Sequence, residues 1–359
     1  MARRSLTARL DAYQRRHPGA GFPIAVIYKF VDDQGSYLAA LITYYGFLSL
    51  FPLLLLLTSI LGVVLRDNPE LRQQIVDSAL SQIPVIGSEL GDPRGLGGGA
   101  TAIVIGALTA LYGALGVANA TQNAMNQIWA VPRNRRPDPI RARLRGLLLL
   151  LTAGIALLGA TVLATIGSRA GSYGASLTWV ISVLLVLGSV VVNAAVFLLA
   201  FRISTAMRLT LRQVAPGAIT AAVLWQLLQS FGARYVSGVV ANASATNSVS
   251  AVVLGLLAFI FVAANILVVS VEINVVRSKR LYPRALMTPF TENVTLTGGD
   301  EDVYADAARA QRYKDVQDVD VTFGERPSAP AGKRPSGPDR KRRTGSAGDD
   351  AVDGGRGQP

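Results

Sequence analysis

The chain alternates long apolar runs with short, basic connections, and the runs are too long for the strands or core helices of a water-soluble domain. Six of them stand out, at about 39–65, 100–128, 144–167, 177–201, 213–235 and 249–276. A bilayer core about 30 Å thick needs roughly 20 helical residues to cross it. Backbone groups in hydrocarbon must be satisfied within the segment or within a closed barrel. The runs lack the ten-residue alternation of a barrel strand, so helices are expected. The predicted fold is an all-α integral membrane protein, a bundle of six transmembrane helices over 39–285.

Lysine and arginine placement orients the bundle, because cytoplasmic loops retain positive charge. Counted over alternate loops of 1–285, 19 basic residues fall on one side and five (Arg66, Arg72, Arg94, Arg169 and Arg234) on the other. Both termini are therefore expected in the cytoplasm of a bacterial plasma (inner) membrane. The arginine-rich start is followed by no short apolar stretch with a cleavage site, so the first span is expected to anchor the nascent chain. Residues 1–38 read as a cytoplasmic arm with an interfacial helix.

The net charge of +12 raises nucleic acid as a partner, but its location argues otherwise. The basic residues of 1–285 flank spans, where they fit topology and attraction to anionic headgroups. No soluble segment is large enough to present a basic and aromatic nucleic-acid face, so no nucleic-acid partner is expected. There are no cysteines, and the single histidine, His17, lies in the N-terminal arm. This closes thiolate and histidine chemistry. No metal, no cofactor and no catalytic residue is expected.

Two soluble stretches complete the layout. The loop 66–98 contains PELRQQIVDSALSQIP, whose Leu71, Ile75, Ala79, Leu80 and Ile83 share one helical face, as in an interfacial amphipathic helix. Residues 286–359 turn rich in Pro, Gly, Ser and charge and are expected to be a disordered cytoplasmic tail.

The polar residues inside the spans are the remaining source of chemistry. Glu272 is the only acidic one, and an ionisable group in hydrocarbon is costly unless paired or hydrated. It lies five residues before Arg277, roughly 7 to 8 Å from the expected boundary at 1.5 Å per residue. Asn265 shares its face two turns away, and Asn274 follows it. Asn119, Asn123 and Asn126 form one face at the end of the second span. Asn193 sits in the fourth, and Tyr44 and Tyr45 open the first. Pro52, Pro216 and Gly217 are candidate helix bends. Two accounts fit this clustering: interhelical hydrogen bonding among small residues, or a polar vestibule open to the cytoplasm with Glu272 at its mouth.

Four segments carry a family resemblance. AALITYYGFLSLFPLLLLL, NAMNQIWAVPRNRRPDPIRARLRGLLLLL, PGAITAAVLWQLLQSFGARYV and VEINVVR resemble, in order, the signature segments of the YihY/BrkB family of bacterial inner-membrane proteins. The family's motifs fall on Tyr44, Ser49 and Pro52, on Asn126 and Trp129, on Pro216 and Gly217, and on Glu272 and Asn274. The match departs at Asn247, Ser248, Val249 and Ser250, where a Tyr-Gly is usual, and at Phe259 or Phe261, where a Trp is typical. The resemblance implies a six-helix envelope protein with roles in transport or in lipid or envelope homeostasis.

Some relatives carry an old label as a tRNA-processing ribonuclease (ribonuclease BN). The sequence offers neither a His/Asp/Glu metal cluster nor a soluble catalytic domain for it, so no enzyme is expected. The expected function is a transporter or flippase-like protein for a lipid or polar envelope component, working through an inward-facing vestibule. The alternative is a noncatalytic membrane scaffold or regulator. Membrane lipid is the expected partner, and oligomeric state is left open.

Overall fold

The long apolar runs become long helices, and polar contacts gather at one end of them. The computed structural model of the protein describes residues 6–64, 70, 100–169, 175–242, 248–286, 288 and 294–324. Among them there is no strand. Two short helices, α1 (Leu6–Arg16) and α2 (Pro18–Asp32), precede α3 (Gly35–Val64). Then come α4 (Ala100–Ile128), a 3-10 turn at Arg133–Arg135, α5 (Pro139–Arg169), α6 (Ala175–Ser204), α7 (Leu211–Asn242), α8 (Ser248–Lys279) and α9 (Gly298–Ala310).

The helices α3 to α8 have 29 to 32 residues each. At 1.5 Å per residue they run about 45 Å, longer than a hydrocarbon core of about 30 Å. Among the described residues, Val183–Ser204, Leu211–Gly232 and Val253–Lys279 are long and apolar enough to cross a membrane. The helices continue through Pro52 and Pro216. The expected outer helix in 66–98 lies, apart from Glu70, outside the described residues.

Met1–Val321 forms one unit and Thr322–Pro359 a second, of which only the first three residues are described, without regular structure. Within the first unit α3 packs most extensively on α4, and α8 meets α2, α3 and α7. Small residues permit this closeness. A Cβ at Gly113 would fall 2.6 Å from the Ser49 Cβ, and one at Gly116 would fall 2.4 Å from the Tyr45 ring. At Gly217 on α7 it would lie 2.0 Å from the Ser270 carbonyl oxygen of α8, so the two backbones all but touch.

The expectation of a disordered tail from 286 is corrected at its start. Thr297 and Asp300 form a capping box at the head of α9, which satisfies backbone donors that a helix start leaves open. Arg284 is 0% exposed and pairs with Asp32 at 2.8 Å and Asp300 at 2.5 Å. Asp300 also accepts from the backbone of Ala285 and Thr297. Further on, Asn134 binds Asp315 and Arg133 binds Gln311, while the Arg133 guanidinium covers the Tyr313 ring at 5.1 Å. Composition alone hid this, because two buried charges hold α9 where apolar area is scarce. The expected tail beyond 324 lies outside the described residues.

Gly217→Ala should lower the thermal transition of the detergent-solubilised protein by several degrees or abolish folded expression, and a wild-type transition would refute the α7–α8 contact. Asp300→Ala strands a buried guanidinium, at a cost of about 3–5 kcal/mol. Limited trypsin digestion should then cut at Arg309 well before the helices α3 to α8.

Candidate functional site

The centre forms where α2, α4 and α8 meet. On α2 the buried residues are Gly21, Ala25, Val26 and Lys29, a single helical stripe at spacings of four, one and three. Gly21 faces Gln14 of α1 and Pro283, and Lys29 delivers an ammonium into the contact with α8. Lys29 is 4% exposed. Its Nζ donates to the Asp33 carboxylate one turn later and to the Ile128 carbonyl at the end of α4, at 3.3 Å.

Glu272 Oε2 stands 3.9 Å from the same Nζ. The Glu272 side chain is completely buried beside Val268, Val271, Val275 and Val276 of its own helix. No N–H or hydroxyl of the described residues donates to either of its oxygens, and the Asp33 carboxyl lies beside it, close enough for the two acids to share a hydrogen bond. Lys29 therefore gives its short contact to Asp33 and only a looser one to Glu272.

Burial lifts the Asp33 carboxyl above the ordinary carboxylate range, a push that the adjacent ammonium opposes. For Lys29 burial acts downward, but the Glu272 and Asp33 carboxylates outweigh it and hold the amine above its ordinary value. Lys29 is thus charged at neutral pH and stands between two acids, closer to Asp33 than to Glu272. Chemically, two acids side by side with one lysine can exchange it, or hold a proton between them.

The other residues singled out in the sequence occupy separate settings. Asn274, buried, accepts from the Gly217 N–H at 2.6 Å and so ties α7 to α8. Asn126, also buried, accepts from the Ala206 N–H at 2.8 Å and ties α4 to the chain after α6. Asn265 donates back to Phe261 of its own helix. Asn193 is half-buried on α6, and Asn123 and Tyr44 are exposed. Asn119 and Tyr45 line a cavity of about 460 Å³ between α3, α4 and the start of α5. Glu272 does not line that cavity.

Sequence reading passed over Lys29 and Asp33, although a signal was there. Lys29 is the only lysine before position 279 and lies inside the apolar stretch PIAVIYKFV, where a solvated face would not place it. Lys29→Met should cost about 3–5 kcal/mol, the usual penalty for stranding a buried charge. Adding Glu272→Leu should recover part of the loss. Thermal transitions in detergent read both, and a Lys29→Met protein as stable as wild type would show that the pair carries no energy.

YfkH of Bacillus subtilis (strain 168), whose name describes it as ribonuclease-like, is 25% identical over 270 residues, covering 70% of this chain and 93% of the relative. No solved structure gives a significant match. The family model described as Virulence factor BrkB matches residues 26–293, a range that includes Lys29, Asp33, Glu272 and Arg284. With its apolar, membrane-length helices, the chain is a membrane protein that belongs to the Virulence factor BrkB family.

Proposed function

We propose that the protein is a six-span protein of the bacterial plasma membrane, with both termini in the cytoplasm, that moves a lipid or another polar envelope component. The Lys29–Asp33–Glu272 cluster latches the cytoplasmic end of its bundle. The observation that carries this reading is the position of Glu272, fully buried beside a second acid, Asp33, and 3.9 Å from a lysine whose short contact goes to that acid. A carboxylate with a purely structural task gains from full hydrogen bonding. One that trades partners during a cycle must be able to release them. The charge bias of the loops supports the orientation.

A second reading, a noncatalytic scaffold or regulator of envelope homeostasis, is favoured by the asparagines. Asn126 and Asn274 spend their side-chain oxygens on backbone N–H groups of neighbouring elements, and Asn265 donates to its own helix. That is how a fixed bundle uses polar residues. Neither reading involves catalysis or nucleic acid, and the ribonuclease-like description of the relative is not carried over. A single histidine and no cysteine supply little for such chemistry.

Ser270→Cys separates the two readings. Ser270 is fully buried two positions before Glu272, and the chain contains no other cysteine to label. In oriented membrane vesicles a charged thiol reagent should modify position 270 slowly from the cytoplasmic face, and at least tenfold faster when Glu272→Gln is added. Complete protection in both proteins would overturn the transport reading in favour of the scaffold.

A further inference from the structure

A second basic cavity lies apart from the lysine cluster, at the same end of the long helices. It measures about 470 Å³ and is lined by Arg145 near the start of α5, by Leu199 and Arg202 near the end of α6, and by Met207 and Arg208 in the following turn. Three arginines from three chain segments line it, and no acidic residue does. Arg145 is held by a hydrogen bond to the Thr205 carbonyl at 3.4 Å, which leaves most of its donors free. Arg202 and Arg208 are exposed, and among the described residues neither forms an ion pair.

Charge bias between loops accounts for arginines on one side of a membrane but not for their convergence on one cavity. Guanidinium groups pair with phosphate oxygens through parallel N–H donors. The surface leading away from the cavity is apolar. Leu184, Leu187, Val191 and Leu199 recur at helical spacing along α6 and are between 46% and 67% exposed, ending at Arg202. Basic pockets between spans at the cytoplasmic face suit anionic headgroups, and an apolar strip beneath suits an acyl chain.

We infer that this cavity binds the phosphate headgroup of an anionic phospholipid, with Arg145, Arg202 and Arg208 as its ligands and the exposed strip of α6 as the seat of an acyl chain. The site does not depend on the latch opening, so it stands or falls separately from the transport reading. A soluble phosphate would use the same arginines but gain nothing from the strip, which makes the lipid the tighter ligand.

The test uses the full chain in a neutral detergent, with phosphatidic acid as the probe and lipid retention read by native mass spectrometry. One retained lipid is expected. Arg202→Gln/Arg208→Gln should reduce its affinity at least tenfold with an unchanged thermal transition, since both residues are exposed. Arg143→Gln, on α5 but outside this cavity, should bind as wild type does. Inorganic phosphate should compete only at concentrations at least a hundredfold higher. The inference is overturned by wild-type retention in the double variant, by an equal loss in Arg143→Gln, or by inorganic phosphate competing as well as the lipid.

Discussion

A buried ammonium must be surrounded by acceptors, and meeting that demand at Lys29 organises one end of the bundle. The acceptors come from three places: Asp33 at the end of its own helix, the carbonyl closing α4, and Glu272 on α8. Each would be poorly placed if α2 slid or turned by a single residue. The pairing thus makes a short helix of 15 residues a fixed part of the molecule. Its neighbour Asp32 binds Arg284, so the same turn also holds the segment that follows α8.

Around this core the polar residues act as fasteners between elements that apolar packing alone leaves free to slide. Lipid tails are as apolar as leucine, so helices in a membrane gain little from hiding leucine from one another. Close backbone approach and directed hydrogen bonds take over. Gly217 lets α7 touch α8, and Asn274 then accepts the N–H that the approach brings within reach. Asn126 does the same for the turn after α6. The signature residues Asn126, Gly217, Glu272 and Asn274 therefore all sit at crossings between elements at one end of the helices.

Much of this was legible from residue order. Apolar runs longer than a bilayer is thick gave the long helices, and the lone acid pointed to the place where charge is buried. The partner of Glu272 was not legible, because Lys29 is more than 240 positions away and pairing across that separation leaves no periodic trace. The asparagines read alike in sequence, yet Asn119 faces a cavity while Asn274 closes a backbone contact. Helical spacing fixes a residue's face but not what stands opposite it. The start of α9 was misread because its order rests on the fully buried pair Arg284 and Asp300, in a stretch whose composition resembles a tail.

The three-way contact of Arg284 also has a temporal side. Asp32 is made at the beginning of synthesis, Arg284 after the last long helix, and Asp300 sixteen residues later still. While the chain emerges, Arg284 has a single carboxylate to meet, and its final seat exists only once Asp300 has left the ribosome. The junction between the first helices and the last can therefore form only after all the described long helices have been synthesised. A nascent chain halted before residue 300 would hold every described long helix, yet Arg284 would lack one of the two carboxylates that hold it.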